Sequence, residues 1–153
     1  MATQVMTPYT ATGHTRAREA MARTICTARK SDSVEKVARM MKDENCGFVP
    51  ITDDGRVIGV ITDRDIVMRC VSAGHTETMK TTAGEVMTTH VISVDVNDTL
   101  DRAGELMASH QVRRLPVVEN GKIVGVLSHG NLVQALHGSG AAQGATVGVT
   151  QGA

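Results

Sequence analysis

FVPITDDGRVIGVITDRD, residues 48–65, and RLPVVENGKIVGVLSHGN, residues 114–131, are two versions of one pattern. In each, two apolar runs flank a two-residue break, Asp54-Gly55 in the first and Asn120-Gly121 in the second. Asp-Gly and Asn-Gly tolerate the left-handed backbone that a type I′ turn demands at both central positions, so each stretch predicts a β-hairpin. Pro50 and Pro116 have no N–H to give to a ladder and belong at strand starts or edges. After each hairpin a hydroxyl residue, Thr62 or Ser128, opens a helix, Asp63–Ala73 or His129–His137.

The likeness extends well beyond the hairpins. Residues 19–70 align without a gap on residues 85–136, so that Glu19, Met21, Asp32, Met41, Pro50, Gly55, Gly59, Val60 and Val67 recur 66 positions later as Glu85, Met87, Asp98, Met107, Pro116, Gly121, Gly125, Val126 and Val133. These are turn, cap and core residues, which makes the repeat structural. Each copy reads as a helical turn, strand, helix, strand, strand and helix. The first strand is expected at Thr24–Thr27 and at His90–Ser93. The helix after it is expected to be capped by Asp32 or Asp98, with Glu35 or Asp101 three residues on in a capping-box-like arrangement. Val34, Val37, Ala38 and Met41, and likewise Leu100, Ala103, Gly104 and Met107, fall at helical spacing and predict the buried face. Mixed elements with an antiparallel hairpin in each copy give an α+β class: two βαββα units packed as a pseudo-two-fold pair. The expected boundaries are a mobile lead-in at 1–16, a first unit at 17–75, a linker at 76–82, a second unit at 83–137 and a Gly/Ala-rich flexible tail at 138–153.

With 153 residues and 16.2 kDa, the chain holds one compact domain or two half-sized units sharing a core. A unit of about 55–60 residues is marginal alone and gains by burying a face against its twin. The formal net charge is zero, and Trp is absent with one Tyr and one Phe. That argues against a nucleic-acid or anionic-membrane binder. No apolar run reaches the ~18 residues of a membrane span and no secretory pattern opens the chain, which points to a cytoplasmic protein. Cys26, Cys46 and Cys70 form no CxxC and match no zinc spacing, and the His residues fall singly, so no metal is expected. His14 and His75 are placed in solvated segments. No nucleophile elbow, Walker A loop or metal-hydrolase motif is present, which argues against an enzyme.

Gly59-Val-Ile-Thr62-Asp-Arg-Asp65 and Gly125-Val-Leu-Ser128-His-Gly-Asn131 both fit Gly-h-h-[Thr/Ser]-x-x-[Asp/Asn], with h apolar. A hydroxyl at a helix start, with backbone N–H groups behind it, suits an anion, and a carboxylate or amide one turn on can accept from a vicinal diol. Phosphate plus ribose fits that spacing. A plain helix cap fits it too, and a duplicated fold duplicates its caps, so two copies do not decide between them.

These motifs, with Gln111-Val-Arg-Arg-Leu-Pro-Val, make residues 17–137 resemble a tandem pair of cystathionine-β-synthase (CBS) domains, the Bateman module. Within that family the small stand-alone actinobacterial proteins of the hypoxic-response type look most similar. The resemblance implies two clefts between the units and an adenosine ligand: AMP, ADP, ATP, S-adenosylmethionine or an NAD-type molecule, with no cofactor required. It puts Thr62 and Ser128 near phosphate, and Asp65 and Asn131 near ribose. It puts Ile25, Cys26, Val91 and Ile92 along the adenine, with Val49, Pro50, Leu115 and Pro116 closing the pockets. It further implies a homodimer packed through the last helices and an unidentified downstream protein that reads ligand state. The copies differ at Asp63-Arg64 against His129-Gly130, and at Gly47-Phe48 against Arg113-Arg114. One cleft therefore offers Arg113, Arg114 and His129 to an anion and the other Arg64, since an Arg fork can donate two hydrogen bonds to phosphate. Arg113-Arg114 reads equally as a solvated strand edge or a dimer salt bridge. The sequence thus points to a regulatory sensor. A ligand-free scaffold acting through its dimer surface is the alternative.

Overall fold

In a computed structural model, residues 15–74 and 77–137 are described. The expectations for residues 1–14, for His14 and His75, and for the tail at 138–153 lie outside them. Thr15 and Arg16, assigned to the lead-in, belong to the fold: the Thr15 carbonyl accepts from Leu100 N–H, and Arg16 bridges Thr99.

The chain runs through α1 (Ala17–Ala20), α2 (Val34–Asp43), β1 (Phe48–Asp53), β2 (Arg56–Thr62) and α3 (Asp63–Asp65), which continues as a π-helix over Ile66–Val71. There follow α4 (Ala83–Val86), β3 (Val94–Asp95), α5 (Leu100–His110), β4 (Arg114–Glu119), β5 (Lys122–Ser128) and α6 (His129–His137). Both hairpins form as the turn residues require. Asp54 and Gly55 have φ of 47° and 77°, and Asn120 and Gly121 have 51° and 79°. The antiparallel registers match one another across the repeat, down to a shift at Ile51/Thr52 and at Val117/Val118.

The expected first strands are displaced toward the C-terminus. Ala28 alone bridges Ile51 in parallel, donating to the Pro50 carbonyl and accepting from Thr52 N–H. In the second copy the ladder is β3, Val94–Asp95, paired with Val117 and Val118. The next bond upstream in such a parallel ladder needs an N–H from residue 50 or 116, and both are proline. The prolines thus end the ladder, and residues 24–27 and 90–93 run beside the sheet outside it.

The helix caps sit one residue beyond Asp32 and Asp98. Ser33 accepts from Lys36 N–H at 3.1 Å and Thr99 from Arg102 N–H at 3.2 Å. The aspartates are used upstream: Asp32 accepts from Arg29 N–H and Asp98 from Asp95 N–H, both at 2.8 Å. That bond, together with the Lys36 ammonium, holds the Asp32 carboxyl below its ordinary value. Glu35 pairs with Arg39 on the helix surface in place of a capping box. After Asp65 the expected α-helix is π-wound, with Ser72 N–H reaching back to the Val67 carbonyl. The wider turn buries Cys70 and sends Arg69 to the Val86 carbonyl and the Thr88 hydroxyl.

The units are not packed as two separate repeats. Ala17 lies in the core made by Val94, Val96, Leu100, Ala103, Met107, Leu115, Val117, Leu127 and Leu132 of the second copy. Ala83 and Val86 lie in the core of the first copy. Each opening turn has crossed to the other copy's sheet. Ala22 exchanges two backbone bonds with Val126 (2.9 and 3.0 Å), and Thr88 does the same with Val60 (2.9 and 3.0 Å). Gly125 and Gly59 make the crossing possible. A Cβ on Gly125 would stand 2.5 Å from Met21 Sδ and 2.8 Å from the Ala22 carbonyl oxygen, and one on Gly59 would stand 2.5 Å from Met87 Sδ.

Gly125→Ala is therefore expected to destabilise the protein by about 1–3 kcal/mol, the usual cost of overpacking. Urea unfolding measures it. Adding Met21→Ala should recover only part of the loss, because the Ala22 carbonyl remains in the way.

Candidate functional site

The crossing brings the loops of one copy over the motif of the other. A cavity of about 270 Å³ is lined by Ala22, Thr24, Ile25, Cys26, Glu44, Cys46, Phe48 and Pro50 from the first copy and by Arg114, Val126, Ser128 and Asn131 from the second. Pro50 helps shape it twice, as a wall and by freeing residues 24–27 from the ladder. Asn45, at φ 49°, turns the chain left-handed after α2 and swings Glu44 and Cys46 toward the same opening.

Ser128 and Asn131 form a closed local pair. Asn131 N–H donates to Ser128 Oγ at 3.0 Å, and the Asn131 side-chain oxygen accepts from Ser128 N–H and Oγ–H. Thr62 and Asp65 make the same reciprocal box at 3.1 and 2.8 Å, and Arg69 lies 3.7 Å from the Asp65 carboxylate. Both motifs are helix caps in structure. Capping does not remove Ser128 and Asn131 from the cavity wall, which they share with Arg114.

Of the residues singled out in the sequence, Ile25, Cys26, Pro50, Arg114, Ser128 and Asn131 come together here. Val49 and Leu115 are fully buried in the cores and do not line this cavity. Side chains alternate along a strand, so Pro50 faces the cavity and Val49 turns away from it. Thr62, Asp65, Val91, Ile92 and Pro116 do not line this cavity; Thr88 bridges Val60 as Ala22 bridges Val126, and Ile92 packs against the second core. Arg64, Arg113 and His129 are exposed at the rims.

The two motif helices begin differently. The Arg64 backbone N–H is taken at 2.8 Å by the Asp63 carboxylate, which places a negative charge at the start of α3. The second copy has His129 and Gly130 at those positions, with no carboxylate, and Arg114 nearby on the cavity wall. Inside the cavity, burial pushes the Cys26 thiol pKa up, and neighbouring Cys46 and Glu44 push it the same way. Glu44, Cys46 and Phe48 were not singled out for the site by the motifs. The left-handed turn at Asn45 that delivers Glu44 and Cys46 is signalled in the sequence by Asn alone. Among the described residues no group of three or more His, Cys, Asp or Glu is arranged to hold a metal ion, and no helix is long and apolar enough to cross a membrane.

Two α+β units, each completed by the other's opening turn and enclosing a cavity at their junction, define a paired-repeat module. The CBS-domain family model matches residues 17–72 and 83–138, and the chain belongs to that family as a tandem pair. It is similar to the CBS domain-containing protein YhcV of Bacillus subtilis, 35% identical over 115 residues, covering 75% of this chain and 81% of that protein. Hypoxic response protein 1 of Mycobacterium tuberculosis is 32% identical over 123 residues, covering 80% of this chain and 85% of that one. Its crystal structure, which holds two coordinated zinc ions, superposes with a TM-score of 0.72 over 78% of this chain and 97% of the other. The CBS domain pair of protein MJ0100, solved with 5′-methylthioadenosine and S-adenosyl-L-methionine, is 25% identical and superposes with a TM-score of 0.71, over 81% of this chain and all of the other.

Because both motifs cap helices, Thr62→Ala and Ser128→Ala should each cost about 0.5–2 kcal/mol of stability with no ligand present. Chemical denaturation reads that cost, and an unchanged midpoint would show that the boxes contribute nothing as caps.

Proposed function

We propose that the chain is a regulatory module that binds an adenosine-type ligand in the cavity under Ser128 and Asn131 and reports its occupancy to a partner protein. One observation carries this reading: Ile25, Cys26 and Pro50 of one copy meet Arg114, Ser128 and Asn131 of the other around a single cavity. The division of chemistry suits a nucleoside phosphate. Ile25, Pro50 and Val126 supply apolar surface for a purine. The Asn131 amide faces the ribose hydroxyls. Ser128, the start of the nine-residue α6 and the Arg114 guanidinium favour a phosphate or another anion. The adenosyl compounds solved with the MJ0100 pair share the purine and ribose of such a ligand but carry no phosphate. Asp63 opposes an anion at the other motif, so the Ser128 cleft is assigned the phosphate-bearing ligand and the Thr62 cleft a less charged one. A ligand that touches both copies favours one relative orientation of the units, and that orientation is the signal.

Isothermal calorimetry of the purified protein against AMP, ATP, NADH and S-adenosylmethionine tests this. Asn131→Ala should abolish binding of the phosphate-bearing ligand and Asp65→Ala should spare it. At 100 times its dissociation constant the ligand should add about 2.7 kcal/mol to stability. Flat titrations with all four compounds would favour the second reading, a ligand-free interaction scaffold. The mutual satisfaction of Thr62 with Asp65 and of Ser128 with Asn131 supports that second reading.

We also infer a homodimer. Val67, Met68 and Val71 are more than half exposed along the π-helix, a contiguous apolar face of the sort that marks an association surface. Sedimentation equilibrium should give a dimer, and Val67→Glu with Met68→Glu a folded monomer. A wild-type monomer at all concentrations would remove the proposal.

A further inference from the structure

The cavity holds two cysteines whose thiol chemistry the binding reading does not use. Cys26 comes from the stretch that Pro50 keeps off the ladder, and Cys46 from the turn after α2. Both are half-buried and line the same cavity, and Cys46 is near enough to help push the Cys26 thiol pKa up. A disulfide between them requires their Cβ atoms to come within about 3.5–4.5 Å of each other. Neither lies in a regular element. The Cys46 N–H donates to the Met41 carbonyl at 2.9 Å, and its side chain packs at the edge of the first core. The repeat supplies an internal comparison. The positions equivalent to Cys26 and Cys46 are Ile92 and Val112, both partly buried against the second core. The same neighbouring positions are thus filled by two thiols in one copy and by two aliphatic side chains in the other. The third cysteine, Cys70, is fully buried in the first core, away from the cavity.

We propose that Cys26 and Cys46 are a reversible dithiol pair, and that their oxidation to a disulfide closes the Ser128 cleft to its ligand. The reaction is thiol–disulfide exchange with a low-molecular-weight disulfide. The Cys46 thiolate attacks one sulfur of that disulfide, forming a mixed disulfide and expelling a thiolate that takes up a proton. The Cys26 thiol then loses its proton, attacks Cys46 Sγ and expels the second small thiol. Two protein thiols are oxidised to one disulfide, and one small disulfide is reduced to two thiols. Cys46 is assigned the first attack because burial and Glu44 disfavour the Cys26 thiolate. The bond ties the 24–27 wall to the turn after α2, drawing together two sides of the space in which the ligand sits. The exchange itself stands on the thiol geometry, and its effect on affinity rests on the ligand reading above.

The test equilibrates the full chain with reduced and oxidised glutathione over a range of ratios, quenches with acid, alkylates and maps the peptides by mass spectrometry. The expected product is a Cys26–Cys46 peptide that reverts with excess reduced glutathione, with Cys70 unmodified in the folded protein. Cys26→Ser should stop at the mixed disulfide on Cys46, and Cys46→Ser should yield no protein disulfide. Complete alkylation of both cysteines at every ratio, or a bond that includes Cys70, overturns the proposal. Calorimetry with AMP on the two forms should show at least tenfold weaker binding to the oxidised one, and equal affinities overturn the closure. A disulfide that forms in a protein whose reduced form binds no nucleotide refutes the ligand reading and leaves the dithiol pair established.

Discussion

The structure depends on one close approach made twice: Met21 and Ala22 against Gly125, and Met87 and Thr88 against Gly59. Each places the opening segment of one copy along the hairpin of the other, with no space for a side chain between them. Each copy alone has a core that is open on the side where its own opening turn does not reach. The other copy's turn closes it, with Ala17 on one side and Ala83 with Val86 on the other. Neither unit can complete its core without the other, so the gain of a small domain from burying a face against its twin is built into chain topology.

That exchange also makes the site. If each turn had stayed on its own sheet, the stretch Thr24–Thr27 would have led away from the same copy's hairpin. Because Ala22 is bound to Val126, the chain leaves β5 two residues before Ser128 and Asn131 come within reach, then crosses to the first copy's sheet at Ala28. The cavity is the space under that crossing. Pro50 contributes by what it lacks: with no N–H, it ends the ladder where the crossing strand would otherwise be stitched down.

The legible parts of the sequence were those governed by chemistry over a few residues. Asp54-Gly55 and Asn120-Gly121 specify their turns through backbone sterics alone, and the helical stripes at Val34–Met41 and Leu100–Met107 mark a face that must be buried. The misplaced features were decided by competition or by distant partners. Asp32 and Ser33 can each cap a helix, and only the Arg29 N–H bond engages the aspartate and leaves the serine to cap. The first strands were cut short by prolines elsewhere in the chain. The recurring pairs Met21/Met87 and Gly59/Gly125 were visible as identities, but their meaning, that each Met meets the Gly of the other copy, is a long-range fact that no local pattern carries. The site divides in the same way. Ser128 and Asn131 were readable as a motif and Ile25, Cys26 and Pro50 through the family resemblance, whereas Glu44 and Cys46 enter through a left-handed turn at Asn45.

Duplication gives the two motif helices a common frame, and substitution inside that frame makes their surroundings different in kind. At the start of the motif helix one copy has Asp63, whose carboxylate takes the Arg64 N–H, and the other has His129-Gly130. At the strand start one has Phe48 and the other Arg114, and both face the same cavity, because positions related by the repeat meet near the pseudo-axis. Where the first copy puts Cys26 and Cys46 in the cavity wall, the second packs Ile92 and Val112 against its core. These differences lie around the cavity and the motif helices, while the turns, caps and core positions that hold the frame recur. Side chains at the junction are thus free to diverge on a frame that is not, and the shared cores tie whatever happens at the junction to the packing of both units.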